Sequence, residues 1–174
     1  DKPIREYQPQ PASSVILIIG DGMGENHIRM ACDGKAYVQE PETGSTPLQA
    51  RTVDTFWAKE FPAIGTAATA NQLGGVTDSA ASATALATGW KTRNGVLGMR
   101  PDTFLGGDTD SLRSVQNVRE LASLSGRTTA ILSSDRITGA TPNGFLTHHN
   151  YRFDYSVIQQ QQEALAESEL ACDF

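Results

Sequence analysis

Residues 15–24 read VILIIGDGMG, and this stretch decides the predicted fold. Its five consecutive apolar residues, bounded by Ser14 and Gly20, are typical of a strand that is buried on both faces in a parallel sheet. The glycine-rich turn lets a ligand approach the backbone closely, and it carries the carboxylate of Asp21. In open α/β sheets ligands bind beyond the carboxyl ends of the strands, which makes this turn a candidate site. The alternative is a plain strand-to-helix turn in which Asp21 caps the helix.

Helical and extended patterns alternate along the rest of the chain. Besides residues 15–19, extended segments are predicted at residues 64–70 and 127–134. Helices are predicted at residues 25–36, at residues 79–88 with Gly89 as the stop, from Asp110 or Ser111 to Gly126, from Pro142 onward, and from Asp154 toward Leu170. This alternation favours a layered α/β fold with a largely parallel sheet.

Composition narrows the function classes. The 174 residues carry a net charge of −6, which argues against nucleic acid as a partner, because phosphate backbones are bound by clustered Lys and Arg. A small phosphorylated substrate stays compatible, since one local site can hold it. No apolar run of about 18 residues is present, so no membrane span is predicted. Residues 1–14 are polar, show no signal peptide and are treated as an N-terminal extension. Cys32 and Cys172 could pair or could both be free thiols.

A second candidate site is the stretch VTDSAASATA at residues 76–85, where Asp78 and Ser79 open an alanine-rich helix. A helix N-terminus offers free N–H groups and a positive dipole end, which stabilise an alkoxide or a bound phosphate. No histidine is near in sequence, and the G-x-S-x-G pattern of α/β-hydrolases is absent. Metal coordination is the other way to activate a serine hydroxyl. The alternative is simple capping by Asp78 or Ser79.

A third candidate site combines Thr141, which precedes Pro142, with Arg152. An arginine fork can bind two phosphate oxygens at once. The alternatives are a cap at Thr141 and a surface salt bridge at Arg152.

Taken together, these segments resemble the alkaline phosphatase family. Residues 20–24 (GDGMG) and 76–85 look like its two signature motifs, and the similarity continues through residues 88–95 (TGWKTRNG) and residues 140–142 (ATP) to Arg152. The run DSAASATA is highly specific, whereas GDGMG is shared more widely in the superfamily. The resemblance implies a three-layer α/β sandwich with a largely parallel central sheet. Residues 15–174 are then the N-terminal part of a single catalytic domain, and we expect the chain to be truncated.

The resemblance also implies a site with two zinc ions and one magnesium ion. In it Asp21 would bridge a zinc and the magnesium, and Thr141 would bind the magnesium. Ser79, also a metal ligand, would attack phosphorus and carry a phosphoserine intermediate. Asp78 would orient Arg152, and Arg152 would clamp the phosphoryl oxygens. Arg152 and Ala80 are the residues assigned to substrate binding.

Two features depart from the family pattern. Gly139 stands two residues before Thr141, where well-known members carry Asp or His near the magnesium, so we hypothesise a looser magnesium dependence. The three histidines, His27, His148 and His149, cannot build two zinc sites, because zinc takes three or four ligands. His27 is predicted on a helix surface. The remaining zinc ligands are expected from a later part of the chain that is absent here.

The sequence therefore predicts a metal-dependent phosphomonoesterase that acts on small phosphate monoesters. The resemblance implies export to the periplasm or beyond, and a homodimer in the full-length form. Two alternatives stay open at this point. One is a phosphodiesterase of the same superfamily, and the other is an inactive fragment or homologue that only binds phosphate or a partner.

Overall fold

The computed structural model describes residues 12–31, 63, 65–102 and 111–170. Within them lie five helices: α1 (residues 25–31), α2 (Ser79–Thr88), α3 (Val118–Leu124), α4 (Ala140–Leu146) and α5 (Tyr155–Leu170). Two short strands, β1 (Met99–Pro101) and β2 (Leu112–Ser114), pair antiparallel with Met99 opposite Ser114. The predicted helix residues 32–36, the possible cap Asp110 and both cysteines lie outside the described residues.

Helix α2 begins and ends at the predicted residues. Asp78 is its N-cap and accepts a hydrogen bond from the N–H of Ala81, while Gly89 ends it in the left-handed conformation with φ of 75°. Between them the sequence SAASATALAT consists mostly of alanine, the residue with the highest helix propensity. The same small side chains leave room for another helix to approach the backbone closely.

Helix α4 packs directly against α2. A Cβ atom placed on Gly144 of α4 would lie 2.5 Å from the Cβ of Ala83 and 2.7 Å from its carbonyl carbon. The buried apolar cluster beside this contact is formed by Ala80, Leu97, Ala140 and Ile158. The core of the described part of the chain is therefore a helix contact made of small residues, with α5 adding Ile158.

The segment at residues 95–98 is held on α2 by a buried hydroxyl. Thr84 donates a hydrogen bond to the carbonyl of Val96 (3.1 Å) and accepts one from the N–H of Gly98 (2.9 Å). Both groups are buried, so the threonine satisfies two backbone atoms that water does not reach.

Helix α3 corrects the prediction of a helix from Asp110 or Ser111. It begins at Val118, because Asn117 and Glu120 form a reciprocal capping box there, and residues Leu112–Ser114 pair as β2 instead. The predicted apolar face is also not buried among the described residues, since Leu121 is 49% exposed and Leu124 is 77% exposed. Helix α4 likewise starts at Ala140 rather than at Pro142, with Gly139 as its N-cap.

Residues 15–19, predicted as a buried strand, and residues 127–134, predicted as a strand, form no regular secondary structure and pair with no described strand. Ile18 is 88% exposed and Leu132 is 93% exposed. A strand needs a neighbouring strand to satisfy its backbone groups and to cover its side chains. The pattern of apolar residues does not show which segment would be that neighbour. The guanidinium of Arg127 donates to the carbonyl of Ser13 (3.4 Å), so the two segments begin side by side. Residues 65–70, predicted as a possible strand, form a single antiparallel bridge between Ala70 and Val76 among the described residues.

No helix in the described ranges is both long enough and apolar enough to cross a membrane.

Asp154 precedes α5, as predicted for its cap, and its carbonyl accepts the N–H of Ile158 (3.1 Å). The pKa of Asp154 lies below its ordinary value, chiefly because Ser156 donates a hydrogen bond to its carboxylate (3.0 Å). The N–H of Val157 and the ring of His149 lower the pKa further, whereas loss of hydration opposes them. Because the pKa is lowered, the ionised carboxylate stabilises the fold above the unfolded-state pKa, and this stabilisation is lost as the pH falls through the folded-state pKa.

We expect Gly144→Ala to destabilise the protein. The added methyl group must displace Ala83 and the backbone of α2, which costs about 1–3 kcal/mol, more than the gain in helix propensity of about 1 kcal/mol. Urea unfolding measures the difference. Gly65→Ala is the control for added volume, because a Cβ there meets no atom of the described residues within 4 Å. Equal stability of the Gly144 variant and the wild type would contradict the close helix contact.

We expect Ser156→Ala to raise the pKa of Asp154 toward its ordinary value, because the main hydrogen bond to the carboxylate is lost. A pH titration of the carboxyl carbon by NMR measures this pKa. Ser168→Ala serves as the control, since its hydroxyl donates to the carbonyl of Leu165 near the other end of α5. An unchanged titration in the Ser156 variant would show that another group lowers the pKa.

Candidate active site

The carboxylate of Asp21 brings together three segments that are distant in sequence. Its Oδ1 accepts a hydrogen bond from the hydroxyl of Ser79 (2.9 Å), and its Oδ2 accepts one from the hydroxyl of Thr141 (3.0 Å). Asp21 lies in the turn after residues 15–19, Ser79 is the first residue of α2, and Thr141 lies in the first turn of α4. The contact between α2 and α4 thus sets the spacing of the two hydroxyls around one carboxylate.

Asp78, the residue before Ser79, fixes the second half of the site. Its Oδ1 accepts the N–H of Ala81 (2.9 Å), and its Oδ2 accepts the N–H of Gly95 (2.9 Å). The same Oδ2 accepts a hydrogen bond from Nη1 of Arg152 (3.1 Å), and the two side chains are only 24% and 23% exposed. One carboxylate therefore caps α2 and orients the arginine.

The backbone also holds Arg152 in place. Its N–H donates to the carbonyl of Gly95 (2.8 Å), and two residues further on Leu97 and His149 exchange hydrogen bonds of 2.8 Å and 2.9 Å. Residues 95–97 thus run antiparallel to residues 149–152. The guanidinium also lies 5.1 Å from the ring centre of Phe153.

A groove of about 700 Å³ connects these side chains. Its walls include all five polar residues of the site, namely Asp21, Asp78, Ser79, Thr141 and Arg152. Ala80 is fully buried and does not line the groove. Its side chain is therefore not available to contact a substrate. Asp21 is exposed and Ser79 is partly exposed, so solvent reaches both side chains.

The donor atoms around Asp21 suit a hard cation. One carboxylate and two hydroxyls offer oxygen ligands, which magnesium prefers. A zinc site needs three or four ligands, usually with nitrogen or sulfur among them. The described residues contain no group of three or more His, Cys, Asp and Glu side chains that could hold a metal. The fit to a magnesium site is therefore partial, and two zinc sites do not fit these residues alone.

The three histidines contact protein groups outside this cluster. His148 contacts the carbonyl of Gly98 (2.7 Å) and the carboxylate of Glu120 (2.8 Å) through its two ring nitrogens. His149 lies 3.3 Å from the carboxylate of Asp154, and His27 is exposed on α1, as predicted. A smaller hollow of about 420 Å³ beside His148 and His149 contains none of the five polar site residues.

Gly139 has a neighbour that sequence reasoning missed. A Cβ atom on Gly139 would lie 2.8 Å from Oδ2 of Asp135 and 2.9 Å from the carbonyl oxygen of Arg136. A carboxylate thus lies where a larger side chain at position 139 would begin. In the sequence, Asp135 stands four residues before Gly139. This spacing is too common to indicate a contact between the two residues.

Comparisons with known proteins point in one direction. The family model described as alkaline phosphatase matches residues 12–172. The chain is 32% identical to the repressible alkaline phosphatase of Saccharomyces cerevisiae over 86% of its length, and 34% identical to alkaline phosphatase 4 of Drosophila melanogaster over 82%. It spans only 23% and 22% of those two proteins, respectively, or about a quarter of their length.

Solved structures give the same result. The cold-active alkaline phosphatase of a psychrophilic Shewanella species matches with a TM-score of 0.58 and 31% identity, over 83% of this chain and 32% of that one. The alkaline phosphatase of the Antarctic bacterium TAB5 matches with a TM-score of 0.54 and 26% identity, over 75% of this chain and 33% of that one. A variant of the TAB5 protein was solved with Mg bound.

We expect Gly139→Asp, made together with Asp135→Ala, to strengthen the response to magnesium. The Asp135 change removes one of the two close contacts, and the new carboxylate adds an oxygen ligand near Thr141. Magnesium titration followed by the thermal unfolding midpoint measures binding to the folded state. Asp135→Ala alone is the control. Gly139→Asp alone is expected to lose about 1–3 kcal/mol of stability through crowding. An unchanged magnesium response in the double variant would refute the hypothesis that Gly139 loosens magnesium dependence.

Proposed function

Because the chain belongs to the alkaline phosphatase family and has its fold, we propose that it hydrolyses phosphate monoesters in a metal-dependent reaction. One observation carries this proposal. The hydroxyl of Ser79, the carboxylate of Asp21 and the guanidinium of Arg152 line the same groove, although the sequence separates them widely. A nucleophile, a metal-binding carboxylate and a phosphate-binding arginine are the parts that phosphoryl transfer requires.

Ser79 is the proposed nucleophile. Its Oγ loses its proton and attacks phosphorus, the bond from phosphorus to the ester oxygen breaks, and the leaving alkoxide takes up a proton and departs as the alcohol. Water then cleaves the phosphoserine and releases inorganic phosphate, which restores the hydroxyl. The hydrogen bond to Asp21 directs the serine proton away from the attacking lone pair, and the N-terminal end of α2 favours negative charge on the oxygen.

Asp21, Ser79 and Thr141 are the proposed metal ligands in this part of the chain. A divalent cation bound by their oxygens would supply the positive charge that favours the ionised form of the serine hydroxyl. We propose magnesium at Thr141 and Asp21, with two zinc ions whose remaining ligands come from outside residues 1–174.

Arg152 is the proposed phosphate clamp. Nη1 of Arg152 donates to Asp78, which leaves the other N–H groups of the guanidinium to bind two phosphoryl oxygens. Since the ion pair is half-buried and the backbone of Arg152 is also held, the guanidinium reaches the substrate already oriented. Less conformational freedom is then lost on binding. Ala80 stays a proposed contact through its backbone N–H, at the start of α2.

The wider setting is also proposed from family membership. The substrates would be small phosphate monoesters, and the complete protein would be exported and dimeric. Residues 15–174 would form the N-terminal part of one catalytic domain, built as a three-layer sandwich. In that sandwich residues 15–19 and 127–134 would be parallel neighbours. The contact between Arg127 and Ser13 at their starts and the contact between Asp21 and Thr141 beyond their ends support this direction.

We expect Ser79→Ala to abolish hydrolysis of a chromogenic phosphate monoester while phosphate still binds. Loss of a covalent nucleophile lowers kcat by roughly 10³-fold or more, but Arg152 remains available for phosphate. The assay uses the full protein that carries this sequence, with zinc and magnesium and then with a chelator. Ser82→Ala is the matched control, because this serine lies on the same helix and its hydroxyl contacts Thr77 (2.9 Å).

Three results would point elsewhere. Equal turnover of the Ser79 variant and the wild type would exclude the phosphoserine route. Faster hydrolysis of a chromogenic diester than of the monoester would indicate a phosphodiesterase. Phosphate binding without any turnover in the metal-loaded wild type would indicate a protein that only binds phosphate.

A further inference from the structure

Two asparagine side chains clasp the segment that leads into α2, and we infer that one of them, Asn94, is a positioning residue for Asp78 and thereby for Arg152. Oδ1 of Asn94 accepts the N–H of Asp78 (3.1 Å), and its Nδ2 donates to the carbonyl of Val76 (2.9 Å). The amide therefore holds the backbone on both sides of Thr77. The inference rests on the proposed function only where it concerns phosphate.

Asn71 completes the clasp from 23 residues away. Its Nδ2 donates to Oδ1 of Asn94 (3.0 Å) and to the carbonyl of Val76 (3.3 Å). Its Oδ1 accepts the N–H groups of Leu73 and Gly75, both at 3.0 Å. All four hydrogen-bonding positions of the Asn71 amide are used, which fixes its orientation and in turn that of Asn94.

Gly95, the residue after Asn94, connects this hydrogen-bonded segment to Arg152. The N–H of Gly95 donates to the carboxylate of Asp78, and the carbonyl of Gly95 accepts the N–H of Arg152. Residues 94 and 95 thus contact the backbone of Asp78, the carboxylate of Asp78 and the backbone of Arg152. Without the hydrogen bonds of Asn94, residues 94 and 95 no longer hold Asp78 and Arg152 in fixed positions relative to each other.

The geometry favours positioning over general stabilisation. Asn94 is exposed and does not belong to the buried apolar cluster, so its removal should leave the contact between α2 and α4 intact. The cap of α2 also persists, because Asp78 still accepts the N–H of Ala81. The change is expected at the carboxylate and the guanidinium, which would bind phosphate less well.

We therefore expect Asn94→Ala to weaken inhibition by inorganic phosphate about tenfold, as befits the loss of its two hydrogen bonds to the backbone of Val76 and Asp78, and to raise KM more than it lowers kcat. In an Arg152→Ala background the same change should weaken phosphate binding no further, because Asn94 acts through Arg152. Asn117→Ala is the matched control. Asn117 is fully buried and caps α3, away from the groove, so its loss should lower stability without changing phosphate inhibition.

Amide hydrogen exchange gives a readout that does not depend on activity. The N–H groups of Gly95 and Arg152 should exchange faster in Asn94→Ala, and by more than the change in global stability accounts for. In Asn117→Ala any faster exchange at these two groups should match the change in global stability. Unchanged exchange at both groups, or additive losses in the double variant, would overturn the inference. A wild-type protein that neither binds inorganic phosphate nor hydrolyses phosphate monoesters would refute the proposed function. In that case the exchange rates alone would decide whether Asn94 holds the ion pair.

Discussion

The rest of the site depends on the three hydrogen bonds that the carboxylate of Asp78 accepts. Two come from backbone N–H groups, of Ala81 and Gly95, and the third comes from Arg152. A buried or half-buried carboxylate is stable only when such donors surround it. The N–H of Ala81 belongs to the first turn of α2, and the N–H of Gly95 attaches residues 95–98. The hydrogen bond from Arg152 orients its guanidinium. The serine next to Asp78 is thereby placed at the helix N-terminus, within 2.9 Å of Asp21.

Small residues determine how close the two halves of the site come. Ser79 starts α2 and Thr141 lies in the first turn of α4, so the separation of these helices sets the separation of the hydroxyls. Gly144 and Ala83 allow the backbones to approach to a distance that no larger side chain permits. The alanine-rich composition of residues 79–88 thus serves helix formation and site geometry at once.

Local signals in the sequence predicted more than non-local ones. The bounds of α2 and the position of Asp154 before α5 follow from motifs and capping chemistry. The same motifs named the polar side chains that the structure brings to one groove. The start of α3 was missed because the Asn117–Glu120 capping box outweighs an apolar repeat that reaches back to Leu112. Contacts such as Asn71 with Asn94, or Asp135 with Gly139, join side chains through the fold, and no periodicity reports them. Pairing of residues 15–19 with another strand would likewise depend on segments distant in sequence, which no periodicity identifies.

The exposed apolar segment at residues 15–18 has a consequence for handling the protein. An exposed, uncharged apolar run can pair edge to edge with strands of other molecules, which is how many chains begin to aggregate. Val15, Ile16 and Ile18 are each more than four-fifths exposed in the described fold. The net charge of −6 opposes such association by repulsion between molecules. Because salt screens that repulsion, colloidal stability of this chain should fall as ionic strength rises.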